Sequence, residues 1–250
     1  MGHEVDIILS IEGPYPPLLR GPAYPASPKS REDLEIHITE ILDLGVIGKV
    51  GHIEEVEITI PVIVAWHDGK SRMVGDFRPL NMYTVPDRYP IPKIQISLTQ
   101  ISQAVYISTM DALKGFHQNV VTTRARKYLS IIVDCGGYEY LRMPFGINNA
   151  PSHFQRMMNE IFPEEFSGGC LIIYIDDIIV CSKNWEENMY RLSRALTTFQ
   201  SVNMKISSKK SHFGFKELKA LKQVVSGLSL GIDKNTLAEA LLKPMPQNKK

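Results

Sequence analysis

The chain has 250 residues, a formal net charge of +1, 44% hydrophobic and 22% charged residues. That balance suits a soluble globular protein with a real core and gives no global signature of a polycation built for nucleic acid. No apolar run approaches the roughly 20 residues of a membrane span, and no basic segment leads a long apolar core at the N-terminus, so neither a membrane partner nor a secretory signal is expected.

In chain order, Pro14, Pro16, Pro17, Pro22, Pro25 and Pro28 predict an extended arm over residues 1–30 that hugs the surface. Ser30 reads as a helix cap, with Leu34, Ile38, Ile41 and Leu42 at helical spacing and Gly45 as the stop. Ile58 to Trp66 is strand-like, and Asp68-Gly69 is a hairpin turn returning through Arg72 to Phe77. Pro86, Pro90 and Pro92 mark an irregular connection before a helix near 93–103. Val105 to Met110 predicts a strand ending on Asp111, then a helix-like turn at Lys114-Gly115-Phe116. Tyr128 to Asp134 and Tyr138 to Met143 predict a hairpin across Gly136-Gly137, followed by a helix from Ala150 to Phe162 with Pro151 in its first turn. Two short strands flank Asp176-Asp177, a long helix runs from Trp185 to about Val202, and the last fifty residues read as short strands with a helix at 234–242. Irregular alternation of strands, hairpins and helices predicts an α+β fold rather than a doubly wound sheet.

Asp176 and Asp177 lie in the apolar stretch Leu171 to Cys181. Two like charges between buried strands are costly unless a cation neutralises them. The plain alternative is a tight hairpin turn, where Asp is favoured. Asp111 ends another apolar strand, and if the two elements are neighbours in one sheet, three carboxylates converge at one end of it. Hard oxygen donors of this kind suit Mg²⁺, which takes its remaining ligands from water and phosphate. The seven histidines are scattered, and Cys135, Cys170 and Cys181 lack metal-ligand spacing, so the cysteines are expected to be small buried residues in a reducing compartment. There is no GxxxxGK[ST] loop. Six lysines against Glu217 over residues 205–222 form either a solvated face or a phosphate contact.

These residues resemble the reverse transcriptases of gypsy-type LTR retrotransposons. Tyr174-Ile175-Asp176-Asp177 is similar to their YxDD box, and Ser108 through Gln118 to their first catalytic motif. Leu141-Arg142-Met143-Pro144-Phe145-Gly146, continuing through Asn149-Ala150-Pro151 to Phe154-Gln155, resembles the second, and Asp76-Phe77-Arg78-Pro79-Leu80-Asn81 the fingers segment. The likeness runs in order from about residue 14 to 246. It implies a right-hand polymerase with an antiparallel palm sheet backed by helices and an incomplete or missing thumb. The arm would occupy 1–30, fingers 31–85 and 118–150, palm 86–117 and 151–220, and a primer-grip region 221–250. Asp111, Asp176 and Asp177 would be catalytic and, with the Ala112 carbonyl, hold two Mg²⁺ ions, Mn²⁺ being a substitute. Arg72, Lys70, Lys114, Gly115, Phe116, Phe145 and Gln155 would meet the dNTP, with the Phe116 ring placed to collide with a ribose 2′-OH. Arg78, Tyr174 and Gly146 would serve template and primer.

The implied reaction is RNA-directed DNA synthesis by two-metal nucleotidyl transfer on an RNA or DNA template with primer. By the same likeness, RNase H and integrase segments of a retroelement polyprotein would be missing here, and the compartment would be a cytoplasmic particle or the nucleus. Some positions depart from the pattern. Trp66-His67 stands where the family has a Lys-Lys pair, Leu221-Lys222-Gln223 where it has Leu-Gly-His, and Gly75 where a β-branched or small apolar residue would make a firmer strand. Those departures leave two alternatives: a decayed fragment without activity, or a palm reused as a nucleic-acid-binding module.

Overall fold

The computed structural model describes residues 4–51, 56–162, 171–220, 223–226 and 229–232. Its first elements are β1 (Glu4–Val5), α1 (Pro28–Asp43), β2 (Ile47–Lys49), β3 (Thr59–His67), β4 (Lys70–Gly75), α2 (Arg78–Tyr83), α3 (Ile94–Ile101) and β5 (Tyr106–Asp111). There follow β6 (Val120–Val121), α4 (Thr123–Arg126), β7 (Ser130–Val133), β8 (Gly136–Tyr140), α5 (Ala150–Ile161), β9 (Leu171–Tyr174), β10 (Asp177–Ser182) and α6 (Trp185–Ser201). The last strands are β11 (His212–Phe215), β12 (Glu217–Ala220), β13 (Gln223–Ser226) and β14 (Ser229–Ile232). The chain divides into two compact units, residues 1–89 with 114–154 and residues 90–113 with 155–250.

The first unit is built on a five-stranded sheet in the order β2-β8-β7-β3-β4, antiparallel except where β3 runs parallel to β7. Asp68 and Gly69 both adopt positive φ, so β3 and β4 join through the tight turn that Asp-Gly favours. Helix α1 starts one turn earlier than Ser30 suggests. Ser27 is the cap, its hydroxyl accepting the Ser30 N–H at 3.2 Å, and Pro28 takes the first helical position, where its missing N–H costs nothing. The arm is more than a surface strap. Strand β1 pairs in parallel with β6, and Val5, Ile7 and Leu19 are buried. The turn between β7 and β8 is Asp134-Cys135, not Gly136-Gly137; both glycines lie in β8, and Cys135 is exposed rather than packed.

The second unit carries an antiparallel sheet in the order β11-β5-β10-β9 and a β12-β13-β14 meander. Strand β10 is apolar on both faces, and both are covered, which explains its unbroken run from Ile178 to Cys181. Ile107, Ile172, Ile179 and Cys181 form one core cluster with Leu98, Ile101 and Ala104 around α3. Burying each of the larger side chains contributes about 1.5–3 kcal/mol. On the opposite face α6 docks through a polar clasp. The Ser108 hydroxyl donates to Asn188 Oδ1 at 2.8 Å, and the Asn188 amide donates to Ser182 Oγ at 2.7 Å. The Gly214 N–H donates to the Ser108 hydroxyl at 2.9 Å, so β5, β10 and β11 are tied together. The predicted helix at 234–242, Cys170 and the Lys222 position lie outside the described residues.

Candidate active site

In the second unit the sheet register settles how the acids meet. Asp177 is the Cα partner of Asp111, and Asp177 also pairs with Tyr174 across the β9–β10 hairpin. Directly opposed residues share a face, so the Asp111 and Asp177 carboxylates are neighbours. Ile175 and Asp176 form the two-residue turn, and the Asp176 carbonyl accepts the Ala112 N–H at 3.3 Å. The strand end is clamped from the other side. Ser207 N–H donates to the Asp111 carbonyl at 2.8 Å, Leu113 N–H to the Lys205 carbonyl at 3.0 Å, and Ala112 bridges Ile206.

This turn has the wrong residue for its shape. Positive φ at the first central position alone defines the turn type that normally demands glycine, yet Ile175 sits there at φ 52°. A β-branched side chain in that region costs about 1–3 kcal/mol and persists only where surroundings impose it. They do: Gln155, fully buried on α5, accepts the Ile175 N–H at 2.8 Å through Oε1 and donates from Nε2 to the Ile173 carbonyl at 3.1 Å. Gln155, expected from the sequence to meet the nucleotide, spends this amide on the backbone of the acidic hairpin.

The charges are in tension. Burial, then the charges of Asp111 and Asp177, raise the Asp176 pKa to about 6, with Lys210 acting in the opposite sense. Burial and Asp111 raise that of Asp177 as well. Lys210 Nζ lies 3.3 and 3.4 Å from the Asp111 oxygens, a contact across 99 residues that no local spacing could have flagged. Asp176 Oδ1 is buried and has no hydrogen-bond partner among the described residues. An orphaned anionic oxygen beside two more carboxylates is a fit for a divalent cation. Among the described residues no three His, Cys, Asp or Glu side chains close a cage by themselves, so a cation at these acids would sit in an open site, with the water and phosphate ligands expected from the sequence. Openness suits Mg²⁺, which keeps water and phosphate ligands.

The first unit holds the remaining residues expected at the site, apart from Tyr174. Lys70 and Arg72 alternate with Ser71 on β4 and are exposed on the same face of the β3–β4 ribbon as Val74. Lys114, at φ 49°, pairs with Glu40 at 2.7 Å just before the 3-10 turn Gly115–Gln118, and Gly115 is buried. The Phe116 ring, 9% exposed, packs 5.2 Å from Phe145 and 5.6 Å edge-on from Phe154. Phe145 is half exposed and braced by His117 at 4.9 Å. Burial pushes the His117 pKa down, and its Nδ1 lies 3.1 Å from the Met143 carbonyl, so the neutral ring donates from Nδ1. Tyr174, in the second unit, is half-buried at the end of β9.

Arg78 and Gly146 share one cavity of about 620 Å³, lined also by Tyr24, Ile63, Val74 and Phe77. Arg78 makes a two-pronged bond to Asp76, both contacts 2.7 Å, and Tyr24 donates to the same carboxylate at 3.2 Å. The Arg78 bonds hold the Asp76 pKa down to about 2. Gly75 is not a weak point: a Cβ there would stand 2.8 Å from the Phe77 ring, so the glycine is what lets Phe77 form the cavity wall. Gly146, at φ 97°, is held by Asn81, whose amide donates to its carbonyl at 2.8 Å. Asp76, Tyr24 and Asn81 were not singled out as site residues by sequence; Asp76 and Asn81 stand beside Arg78 in its motif, and Tyr24 had no signal at all.

An antiparallel sheet backed by helices is the fold expected of a right-hand polymerase palm. The family model for reverse transcriptase (RNA-dependent DNA polymerase) matches residues 65–231, and the chain belongs to that family. It is 33% identical over 230 residues to the retrovirus-related Pol polyprotein from transposon opus of Drosophila melanogaster, covering 91% of this chain and 23% of that relative. It is 37% identical over 153 residues to the Pol polyprotein from transposon gypsy of the same species, covering 61% of this chain and 15% of that one. The chain thus spans less than a quarter of the length of these curated relatives. Among solved structures, the foamy viral protease-reverse transcriptase in complex with dsDNA superposes with a TM-score of 0.83 at 20% identity, covering 97% of this chain and 49% of that chain. The same viral protein in complex with an RNA/DNA hybrid gives 0.80 at 19% identity, over 90% of this chain and 30% of that chain. The family is divalent-metal dependent.

Proposed function

We propose that this chain is the polymerising part of a retroelement reverse transcriptase, extending a primer 3′-OH with dNTPs on an RNA or DNA template. The observation that carries the reading is the register that sets Asp177 opposite Asp111, with Asp176 in a turn forced away from its preferred backbone. Two Mg²⁺ ions, replaceable by Mn²⁺, held by Asp111, Asp176, Asp177 and the Ala112 carbonyl would supply Lewis-acid stabilisation of an in-line phosphoryl displacement. The protein's own contribution is preorganisation. The sheet fixes two of the acids by register, the turn fixes the third, and Lys210 balances Asp111.

We assign the second compact unit to the palm and the first to the fingers. On the fingers, exposed Arg72 and Lys70 are suited to a triphosphate, the guanidinium offering a planar fork and the lysine a point charge. Lys70 stands in for the lysine pair replaced by Trp66-His67. The N–H groups of Lys114 and Gly115 would face the same phosphates. Phe116 is wedged between two aromatic rings and cannot yield, which is what a steric filter against a 2′-OH requires. Arg78 and Gly146, on one cavity wall, are assigned to the template, and Tyr174 to the primer end. RNase H and integrase segments are the expected partners within a polyprotein. Primer extension on an RNA template with dNTPs and Mg²⁺, comparing wild type with Asp176→Asn, tests the reading. Extension that survives the substitution refutes it.

A further inference from the structure

The acidic hairpin does not hold its own shape. Its sequence offers Ile175 where the turn requires a residue at ease with positive φ, and a two-residue turn leaves that residue's N–H outside the strand ladder. Gln155 supplies what is missing. Its side chain is fully buried, and both ends of the amide are engaged: Oε1 takes the Ile175 N–H at 2.8 Å, while Nε2 is shared between the Ile173 carbonyl and Asn159 Oδ1, both at 3.1 Å. The two backbone groups it grips flank Tyr174 and immediately precede Asp176. Beyond them lies the orphaned Asp176 Oδ1, a buried oxygen whose direction has no hydrogen bond of its own to fix it among the described residues.

We infer that Gln155 is the positioning residue of the active site: by clamping the backbone at Ile173 and Ile175 it imposes the left-handed conformation on Ile175 and thereby aims the Asp176 carboxylate. The inference rests on reading Asp176 as a metal-holding acid. Gln155 is not a catalytic residue, since it touches neither acids nor solvent; it acts through the peptide that carries them. Groups that orient a metal-binding residue in this way are worth roughly 10- to 100-fold in metal affinity.

The experiment uses Gln155→Met, which keeps the side chain's length and loses the hydrogen bonds, together with Ile175→Gly and the double substitution. In the metal-free wild type, the Ile175 amide should exchange with solvent at least about 10-fold more slowly than the Asp176 amide, and Gln155→Met should remove that difference. Mn²⁺ affinity, read by titration calorimetry, should weaken about 10- to 100-fold in Gln155→Met. It should recover in the double variant, because glycine takes positive φ without help. A merely structural loss in the core would not be repaired by glycine at 175. The inference is overturned by unchanged Mn²⁺ affinity in Gln155→Met, by no recovery in the double variant, or by a raised dNTP KM at unchanged Mn²⁺ affinity, which would return Gln155 to the nucleotide. Should Gln155→Met not fold, the wild-type exchange comparison stands alone, and an unprotected Ile175 amide overturns the clamp. Asp176→Asn separates the two levels: wild-type Mn²⁺ affinity there refutes the metal reading and the aim assigned to Asp176, while the exchange data still decide the clamp.

Discussion

Two tight turns, Asp68-Gly69 in the first unit and Ile175-Asp176 in the second, solve the same geometric problem in opposite ways. At the first, both residues suit positive φ, the turn is stable by local chemistry alone, and exposed Lys70 and Arg72 lie just beyond it. At the second, the residue is wrong for the turn, and a buried glutamine about twenty residues away corrects it. The same contrast runs through the charges. Asp76 and Arg78 in the first unit satisfy each other, and the carboxyl is held far into its ionised range. Asp176 and Asp177 in the second are both pushed towards protonation by burial and by Asp111, and Asp176 by Asp177 as well. Strain and unmet charge accumulate where chemistry is proposed, and satisfied local structure accumulates where substrate contacts are proposed.

The contrast breaks most sharply at the acids. Asp176→Asn should lower primer extension by roughly 10³-fold or more while leaving the fold intact, because the change relieves repulsion rather than removing a partner. Measuring the rate alongside the melting temperature checks both halves; a large loss of stability would mean the turn depends on the carboxylate. A smaller effect is expected in the aromatic wall. Phe116→Val should leave dNTP incorporation within a few fold and raise rNTP incorporation by roughly 10- to 100-fold, read as the ratio of kcat/KM values. An unchanged ratio would make Phe116 ordinary packing against Phe145 and Phe154.

Arg78→Ala should weaken template binding by about 10-fold without altering kcat, and flatten its salt dependence by about one phosphate contact. It would also free Asp76, whose depressed pKa should then rise, since Arg78 is its main cause. The smallest effect concerns pH. The Asp176 pKa is raised in the folded protein, so metal-free folding is favoured at low pH, where the carboxyl is protonated in both states. That stability is lost as pH climbs from the ordinary carboxylate range through about 6. After solvent screening the loss is on the order of 1 kcal/mol, visible as a denaturation midpoint that falls between pH 4 and 7 in wild type and stays flatter in Asp176→Asn.

The sequence by itself determined most of the elements and the family. Alternating and continuous apolar runs specify β3, β5 and β10, Asp-Gly specifies its hairpin, and three acids beside apolar strands point to a cation, because these are consequences of local pattern and of the cost of buried charge. It misplaced the cap of α1 by three residues and the β7–β8 turn by two, since neighbouring Ser27 and Ser30, or Asp134 and Gly136, are locally near-equivalent. Only the tertiary structure decided that Asp177 faces Asp111, that Lys210 pairs with Asp111, that Gly75 makes room for Phe77, and that the Gln155 amide bonds the backbone of the acidic hairpin. Each of these joins residues or rings whose relation is set by packing and not by spacing along the chain. Ile175 marks the boundary between the two kinds of information: its sequence argues against its conformation, and a distant side chain overrules it.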